Sequence, residues 1–353
     1  MCVNSKEPAK AAPQQQQQQV QKEDVQQPEK TTSSSSSVVA EEPLDETNGM
    51  VLVQNEDKQI KYNPINSGGF VILCDFVGPY LIYRAGWHPS FLPYTYLAWW
   101  IQMIGALAIY HRYFSHRSYK AGRVWTAIMA CIGTLSGQGG PISWADHHRL
   151  HHKHCDTKAD IHSPISNGGD STIFGFRVGA FLWAQGGYLI LKGLPIGHMK
   201  RVADWARYPE LVFIDWAADK IFFGVGLLLW RLYGPEFAAY TFLLPTALSF
   251  NCVQLVNSAV HQIGDFKHHD PRNPVCQARN VWWLTPIMLG SNWHNNHHAF
   301  PQCARAGMEW YEIDPMYYVI KTWEAMGLVY DLREPDMDKL KALRVKKEAT
   351  KDQ

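Results

Sequence analysis

Histidines set at helical intervals constrain this chain more than any other feature. They fall in His111-Arg-Tyr-Phe-Ser-His116, His148-Arg-Leu-His151-His152 and His294-Asn-Asn-His297-His298. Positions i, i+3 and i+4 of a helix share one face, so each His-x-x-His-His run aims three imidazoles at one point. A single run is weak, because histidine-rich surface helices arise by chance. Two runs and a spaced pair, all flanking apolar stretches, read as a metal grip supplied twice. Eight imidazoles exceed what a tetrahedral zinc site uses, and they suit two metal ions with positions left open for a substrate or for oxygen.

Four apolar stretches frame these clusters: Phe70 to Tyr83, Leu92 to Tyr110, Trp216 to Tyr233 and Phe237 to Ala259. The second and fourth approach the ~20 residues that cross a bilayer, whereas the first carries Asp75 and Pro79 and the third Asp219 and Lys220. Each weaker span precedes a stronger one across a short connection, Arg84 to Phe91 or Gly234-Pro235-Glu236, which reads as two helical hairpins. The alternative for each stretch is a buried helix of a soluble core. Val124 to Leu135 is too short to cross before the Gly137-Gln138-Gly139-Gly140 break, so all the histidine clusters share one side. The loop from Arg112 to Arg207 holds a dozen Lys and Arg residues and the hairpin turns almost none, which places that side, and both termini, in the cytosol. The expected fold is an all-α integral membrane protein, with four transmembrane helices in two hairpins capped by a cytosolic helical domain that carries the histidines.

The rest of the chain narrows the possibilities further. Residues 1–62 contain the run Gln14 to Gln19 and then Ser33 to Ser37, with almost no aromatic residues before Tyr62; such a segment is expected to be a disordered tail without the apolar stretch of a signal peptide. Residues 63–336 form the membrane domain, and 337–353 a charged tail whose basic stretch Lys339 to Lys351 reads as a solvated helix or a docking surface for an acidic partner. With 33 basic against 32 acidic residues, no nucleic-acid affinity is expected. Aromatic content of 13% fits a membrane interface. The seven cysteines are spread widely without a Cys-x-x-Cys pair, and are expected to be reduced thiols.

A ninth histidine ends the fourth span, in Asn257-Ser-Ala-Val-His261, where it is either a further ligand or an ordinary helix-end residue. Taken together, the three boxes, the Asn257 to His261 segment and the two hairpins resemble the membrane acyl-CoA desaturases of the stearoyl-CoA type. Tyr110 to Lys120, Asp160-Ile-His-Ser-Pro164, Asn292 to Pro301 and Asp331-Leu-Arg-Glu-Pro335 carry the same likeness, which covers about residues 65 to 336. It implies a di-iron oxidoreductase of the endoplasmic reticulum membrane that uses O2 and two electrons to desaturate a long-chain saturated acyl chain at carbon 9. The implied ligands are His111, His116, His148, His151, His152, His261, His294, His297 and His298, with Asn257 acting through a water. Cytochrome b5 and its reductase are the implied electron donors, since the chain shows no dinucleotide fingerprint of its own.

Imidazole suits iron, and a shell without Glu or Asp sets this site apart from carboxylate di-iron bundles. Asp146, Asp156, Asp160 and Asn296 stand near enough to orient rings, though a solvated loop position is the plainer reading of each. The sequence departs from the family at His147, usually acidic, at Asp146, where a basic residue is frequent, and at Ser291, three residues before box three and usually acidic. Basic side chains to pair with the phosphates of coenzyme A are not evident after box two, where Phe181 to Pro195 holds only Lys192, which leaves acyl-CoA and acyl-lipid head groups both open. His147, His154, His162, His268 and His269 are expected at the surface or hydrogen-bonded behind the ligands. The acyl path is expected to pass Trp144 and to end near Met103 and Trp99; Met103 lies eight positions before His111, roughly 12 Å along a helix. A hydroxylase on the same site, or a desaturase acting at another position, is the nearest alternative. A histidine-rich metal transporter would place its ionisable groups at the bilayer midplane, and an inactive relative would be expected to lack a ligand.

Overall fold

The structure is a computed structural model that describes residues 59–60, 69–167, 172–173, 176–191, 197–269 and 272–344. The expected disordered tail, apart from residues 59–60, and the basic segment beyond Arg344 lie outside the described residues. The described chain is helical, with only two-residue ladders such as Lys120–Ala121 paired with Val329–Tyr330.

Helix α1 runs Phe70–Ala85, and α2 runs Leu92–Met103 and continues as a wider-wound helix over Ile104–Ser115. Helix α3 is Arg123–Thr134, and α4, which carries box two, is Pro141–His154. Three short helices follow: α5 (Val178–Leu182), α6 (Tyr188–Leu191) and α7 (Ala203–Ala206). Helix α8 spans Pro209–Ala238, bent where Gly234 leaves helical geometry at φ 89°, and α9 is Leu244–Ser258. Short α10 (Thr285–Met288) and α11 (His294–Ala299, box three) precede α12 (Pro315–Ala325) and α13 (Met337–Leu343). All four apolar stretches are thus helical, and the short one before the glycines is the 12-residue α3. By length and composition Pro89–Ser115 could cross a membrane.

Helices α1 and α2 both pack on α9, and polar stitches fix the registers. Gln102 donates from Nε2 to Thr246 Oγ1 at 3.1 Å and accepts from Ser249 Oγ at 2.8 Å. Asn251 donates to Asp75 Oδ1 at 3.1 Å, which gives the acidic residue of the first apolar stretch a half-buried partner. On the other side, Phe76, Tyr83, Leu97, Leu227, Trp230 and Tyr233 are exposed. An apolar outer face this extensive exceeds what a water-soluble monomer usually shows.

The glycine break before α4 has a structural purpose. Asp215, near the start of α8, accepts the backbone N–H groups of Ile142 and Ser143 at 2.8 Å each and the Ser143 hydroxyl at 2.7 Å. It therefore caps α4 from another helix, where Gly140 supplies no capping side chain. A Cβ on Gly140 would lie 2.1 Å from Asp215 Oδ1, so only glycine admits the cap. Replacing Asp215 by Ala is expected to lower stability by about 1–2 kcal/mol, the usual worth of a cap. Thermal unfolding in detergent checks this; an unchanged midpoint would show that α4 needs no such anchor.

Candidate metal centre

Each histidine is aimed by a different local device. Box one depends on the wider winding of Ile104–Ser115. In a regular α-helix, residues five apart diverge by well over a right angle, but i→i−5 winding brings them onto one face. The His116 N–H accordingly bonds the His111 carbonyl at 3.3 Å, and the two rings stand 4.9 Å apart. Box two lies on regular α4. Between its ligands, Arg149 projects backwards and donates to the Ser115 and Phe114 carbonyls, each at 2.9 Å, while pairing with Asp204 at 2.8 Å. These carbonyls are the orphan acceptors at the end of the box-one helix, so one arginine ties box one to box two.

Box three sits on the six-residue α11, too short to be stable by itself. Its two asparagines hold it in place. Asn295 accepts from the Lys267 and His268 N–H groups at 2.9 and 2.8 Å, and Asn296 donates to Glu312 Oε2 at 2.7 Å and accepts from Asn280 at 2.7 Å. His261 lies in the turn just after α9 rather than on the helix face shared with Asn257, because Ala259 and Val260 both bond the Leu255 carbonyl as the helix ends.

Nine Nε2 atoms converge. His111 and His297 approach to 3.0 Å, His297 and His152 to 3.1 Å, and His148 and His116 to 2.8 Å. In a second group, His261 and His294 are 3.0 Å apart, His294 and His298 3.0 Å, and His298 and His151 3.4 Å. Three outward nitrogens have partners: His151 Nδ1 donates to Asp160 Oδ2 at 2.9 Å, and His261 Nδ1 to Asp156 Oδ2 at 2.8 Å. His298 Nδ1 faces Cys276 Sγ at 3.3 Å. A proton held on Nδ1 leaves the Nε2 of a neutral ring as the inward, ligating atom, while against the effect of burial Asp156 raises the His261 pKa above the usual histidine range. Inward nitrogens brought this close suit a cation placed among them. Separations near 3.0 Å are what two imidazoles on adjacent sides of one ion span when each bond is about 2.1 Å. The residues present therefore fit two metal ions, one among five histidines and one among four.

Electrostatics agrees. Burial disfavours the imidazolium forms of His148, His152, His294, His297 and His298 and holds each well below the usual histidine range, with mutual repulsion adding to it. These rings are neutral and ready to ligate. Burial works against the Asp160 carboxylate too, yet His162 and His151 beside it pull its carboxyl below the ordinary range. Asp156 is likewise lowered against its own burial by His261.

The four acidic and amide candidates near the boxes are all buried, so the loop reading of them is corrected. Asp156 and Asp160 bond ligand rings, and Asn296 fixes α11. Asp146 instead makes a two-pronged pair with Arg201, at 2.5 and 2.8 Å. Among the surplus histidines, His162 Nδ1 stands 3.2 Å from Asp160 Oδ1 and His268 is buried, whereas His269 is exposed. A second correction concerns cysteine: Cys155 and Cys276 are joined by a disulfide. Nothing in the spacing announced it, since 121 residues separate the pair.

A cavity of ≈ 90 Å³ opens beside the first histidine group. Its walls include Leu107, Leu189, Phe250 and Val253, with His148, Trp144 and Asn257 at its polar end. Trp144 stacks on His148 at 4.8 Å and donates to Gln138 Oε1 at 3.0 Å. His147 also lines the cavity, with its Nε2 shielded and without a protein partner, and burial pushes its ring down to about 4. Met103 and Trp99 are not on this wall; both are buried in the main core, one and two turns beyond Leu107.

Two groups of converging histidines beside an apolar cavity are the parts that a histidine-ligated metal oxidoreductase requires. The family model described as fatty acid desaturase matches residues 85–333. Delta-9 acyl-lipid desaturase 2 of Arabidopsis thaliana is 34% identical over 244 residues, 68% of this chain and 74% of that protein. The sn-1 stearoyl-lipid 9-desaturase of Anabaena variabilis is 33% identical, over 68% of this chain and 83% of its own. Acyl-CoA C20 Delta5-desaturase of Anemone leveillei is 30% identical over 298 residues, 84% of this chain and 89% of that one. The chain belongs to the fatty acid desaturase family.

Because Asp160 holds His151 by its rear nitrogen, Asp160→Asn is expected to weaken Fe2+ or Co2+ binding about 10- to 100-fold, the usual worth of such a partner. His269→Ala, at an exposed ring, should leave binding unchanged. Metal titration followed by visible spectroscopy checks both, and equal affinities for wild type and Asp160→Asn would remove the carboxylate from the account.

Proposed function

We propose that this chain is a di-iron, O2-dependent desaturase that introduces a cis double bond at carbon 9 of a long-chain saturated acyl group. In this reading His111, His116, His148, His151, His152, His261, His294, His297 and His298 ligate two irons, and Asn257 acts through a water. The observation that carries it is the convergence of nine Nε2 atoms beside an apolar cavity. Helices α1, α2, α8 and α9 cross the bilayer in two hairpins, with both termini and the histidines on the cytosolic face of the endoplasmic reticulum. Their exposed apolar faces and the polar stitches inside support that arrangement.

When bound, the irons supply the oxidising power: with O2, two external electrons and two protons, two hydrogens leave adjacent methylenes and two waters form. The protein's own contribution is positioning. Leu107, Leu189, Phe250 and Val253 hold a saturated chain by apolar contact and exclude water. Trp144, fixed by Gln138 and stacked on His148, sets one wall against which the reacting carbons rest. Asn257, fixed by Gln254 Oε1 at 2.9 Å, presents a polar group at the same end. Electrons come from a partner, for which cytochrome b5 and its reductase are the proposed source.

An acyl-CoA is the proposed substrate, with carbon 9 in keeping with the names of two of the relatives. A second reading, an acyl lipid, is favoured by one observation. Arg201, which could meet a phosphate near box two, is committed to buried Asp146.

Expression in a yeast strain lacking its own desaturase, with mass spectrometry of its fatty acids, tests the function. Monounsaturated chains with the double bond at carbon 9 are expected; unchanged saturated chains beside a folded, iron-loaded protein would contradict it. Met103 and Trp99 are proposed to close the far end of the acyl path. Met103→Ala and Trp99→Ala should then raise the 18-carbon to 16-carbon product ratio, at some cost in stability if the space stays empty. An unchanged ratio in both folded variants would place the end of the path elsewhere.

A further inference from the structure

Two cysteines far apart in sequence meet at the outer edge of the histidine shell. Cys155 follows α4 and Cys276 lies on the segment that leads to box three; the two are bonded, with Cα atoms 5.3 Å apart. Both are buried. Each touches the support of a different ligand. Cys276 Sγ stands 3.3 Å behind His298 Nδ1. Cys155 immediately precedes Asp156, whose Oδ2 accepts from His261 Nδ1 at 2.8 Å and from the Gln277 N–H at 2.7 Å. Gln277 is the residue after Cys276. Asp156 adopts φ 58°, a left-handed conformation that costs free energy for a residue with a side chain and persists where its surroundings hold it. The same turn is held by Ser163 Oγ on Asp156 Oδ1 at 2.6 Å and by Asn273 Nδ2 on the Cys155 carbonyl at 3.0 Å.

We propose that Cys155 and Cys276 are positioning residues for His261 and His298, and that their bond is a redox-responsive clamp on the metal centre. The inference rests on the metal-centre reading given above. While closed, the bond keeps the Gln277 N–H on Asp156 and the Cys276 sulfur behind His298, so both rings are oriented before metal arrives. Opening it takes a dithiol. The reductant's two thiols become its disulfide, two electrons break the Cys155–Cys276 bond, and two protons pass to the freed sulfurs. The segment around Cys276 is then tied to the end of α4 by hydrogen bonds alone, and the support behind two ligands loosens. Disulfides in reducing compartments are typically transient or sensing, which matches a centre on the cytosolic face.

The test uses the full chain in detergent, freed of metal, with Co2+ as the probe. Two fewer of its seven cysteines should alkylate after denaturation of air-oxidised protein than of protein reduced with dithiothreitol and desalted anaerobically, and peptide mapping should assign the missing pair to Cys155 and Cys276. The oxidised form should bind Co2+ about ten-fold more tightly than the reduced form, the lower range for losing support behind a ligand. Cys155→Ser and Cys276→Ser should each match reduced wild type with or without reductant, while Cys131→Ser, at an exposed position, keeps the redox dependence. Equal Co2+ affinity in the two redox states, or seven reactive cysteines in oxidised protein, overturns the clamp alone. Absence of tight Co2+ binding in both states overturns the metal-centre reading and the clamp with it.

Discussion

Nine imidazole Nε2 atoms directed at two points make an arrangement that the surrounding fold has to enforce. The Nε2 atoms of neighbouring rings stand only 3.0 Å apart. They are held there by bonds on their far sides and by the segments that carry them. Arg149 joins box one to box two through the end carbonyls of the first helix. Asp215 anchors the start of α4, and Asn295 and Asn296 pin a helix that is otherwise too short to persist. Such convergence suits cations placed among the nitrogens, so the structure reads as a receptor preorganised for metal.

The third box shows how much fixing a short ligand helix needs. Glu312 is buried and takes Asn296 Nδ2, the Met308 and Glu309 N–H groups and the Lys267 ammonium. Gly290, at φ 106°, lets Asp314 pass so closely that a Cβ would lie 2.1 Å from its Oδ1. Asp314 in turn holds Arg112, next to His111, at 2.9 Å. Boxes one and three are therefore cross-braced through a buried ion pair. Removing one member of such a pair leaves the other charge stranded, which is costly far beyond the worth of the contact itself.

Much of this was legible in the residues. The four apolar stretches are helical, although α8 already begins at Pro209 and α9 only at Leu244. Each His-x-x-His-His run lies on one helix but divides its rings between the two groups, His151 apart from His148 and His152, and His297 apart from His294 and His298, rather than aiming all three at one point. Local periodicity governs the helices, so a local pattern reveals them. What was missed is non-local or conformational. The Cys155–Cys276 bond joins segments 121 residues apart. The partnership of Asp156 with His261 crosses 105 positions. The five-residue spacing of His111 and His116 implies two divergent rings on an ordinary helix, and only the wider winding reconciles it with a shared focus. His147, expected at the surface or hydrogen-bonded behind the ligands, lines the cavity because α4 turns its ring towards Tyr188 and not towards solvent, whereas His162 stands behind His151 against Asp160.

The central proposal is that nine histidines, with Asn257 acting through a water, hold two irons. Iron quantitation combined with iron K-edge X-ray absorption on the purified chain addresses it directly. Two irons per chain in a first shell of light atoms at imidazole distances, with no sulfur scatterer, is the predicted result. One iron or none in folded protein, or a shell that includes sulfur from Cys155 or Cys276, would contradict it.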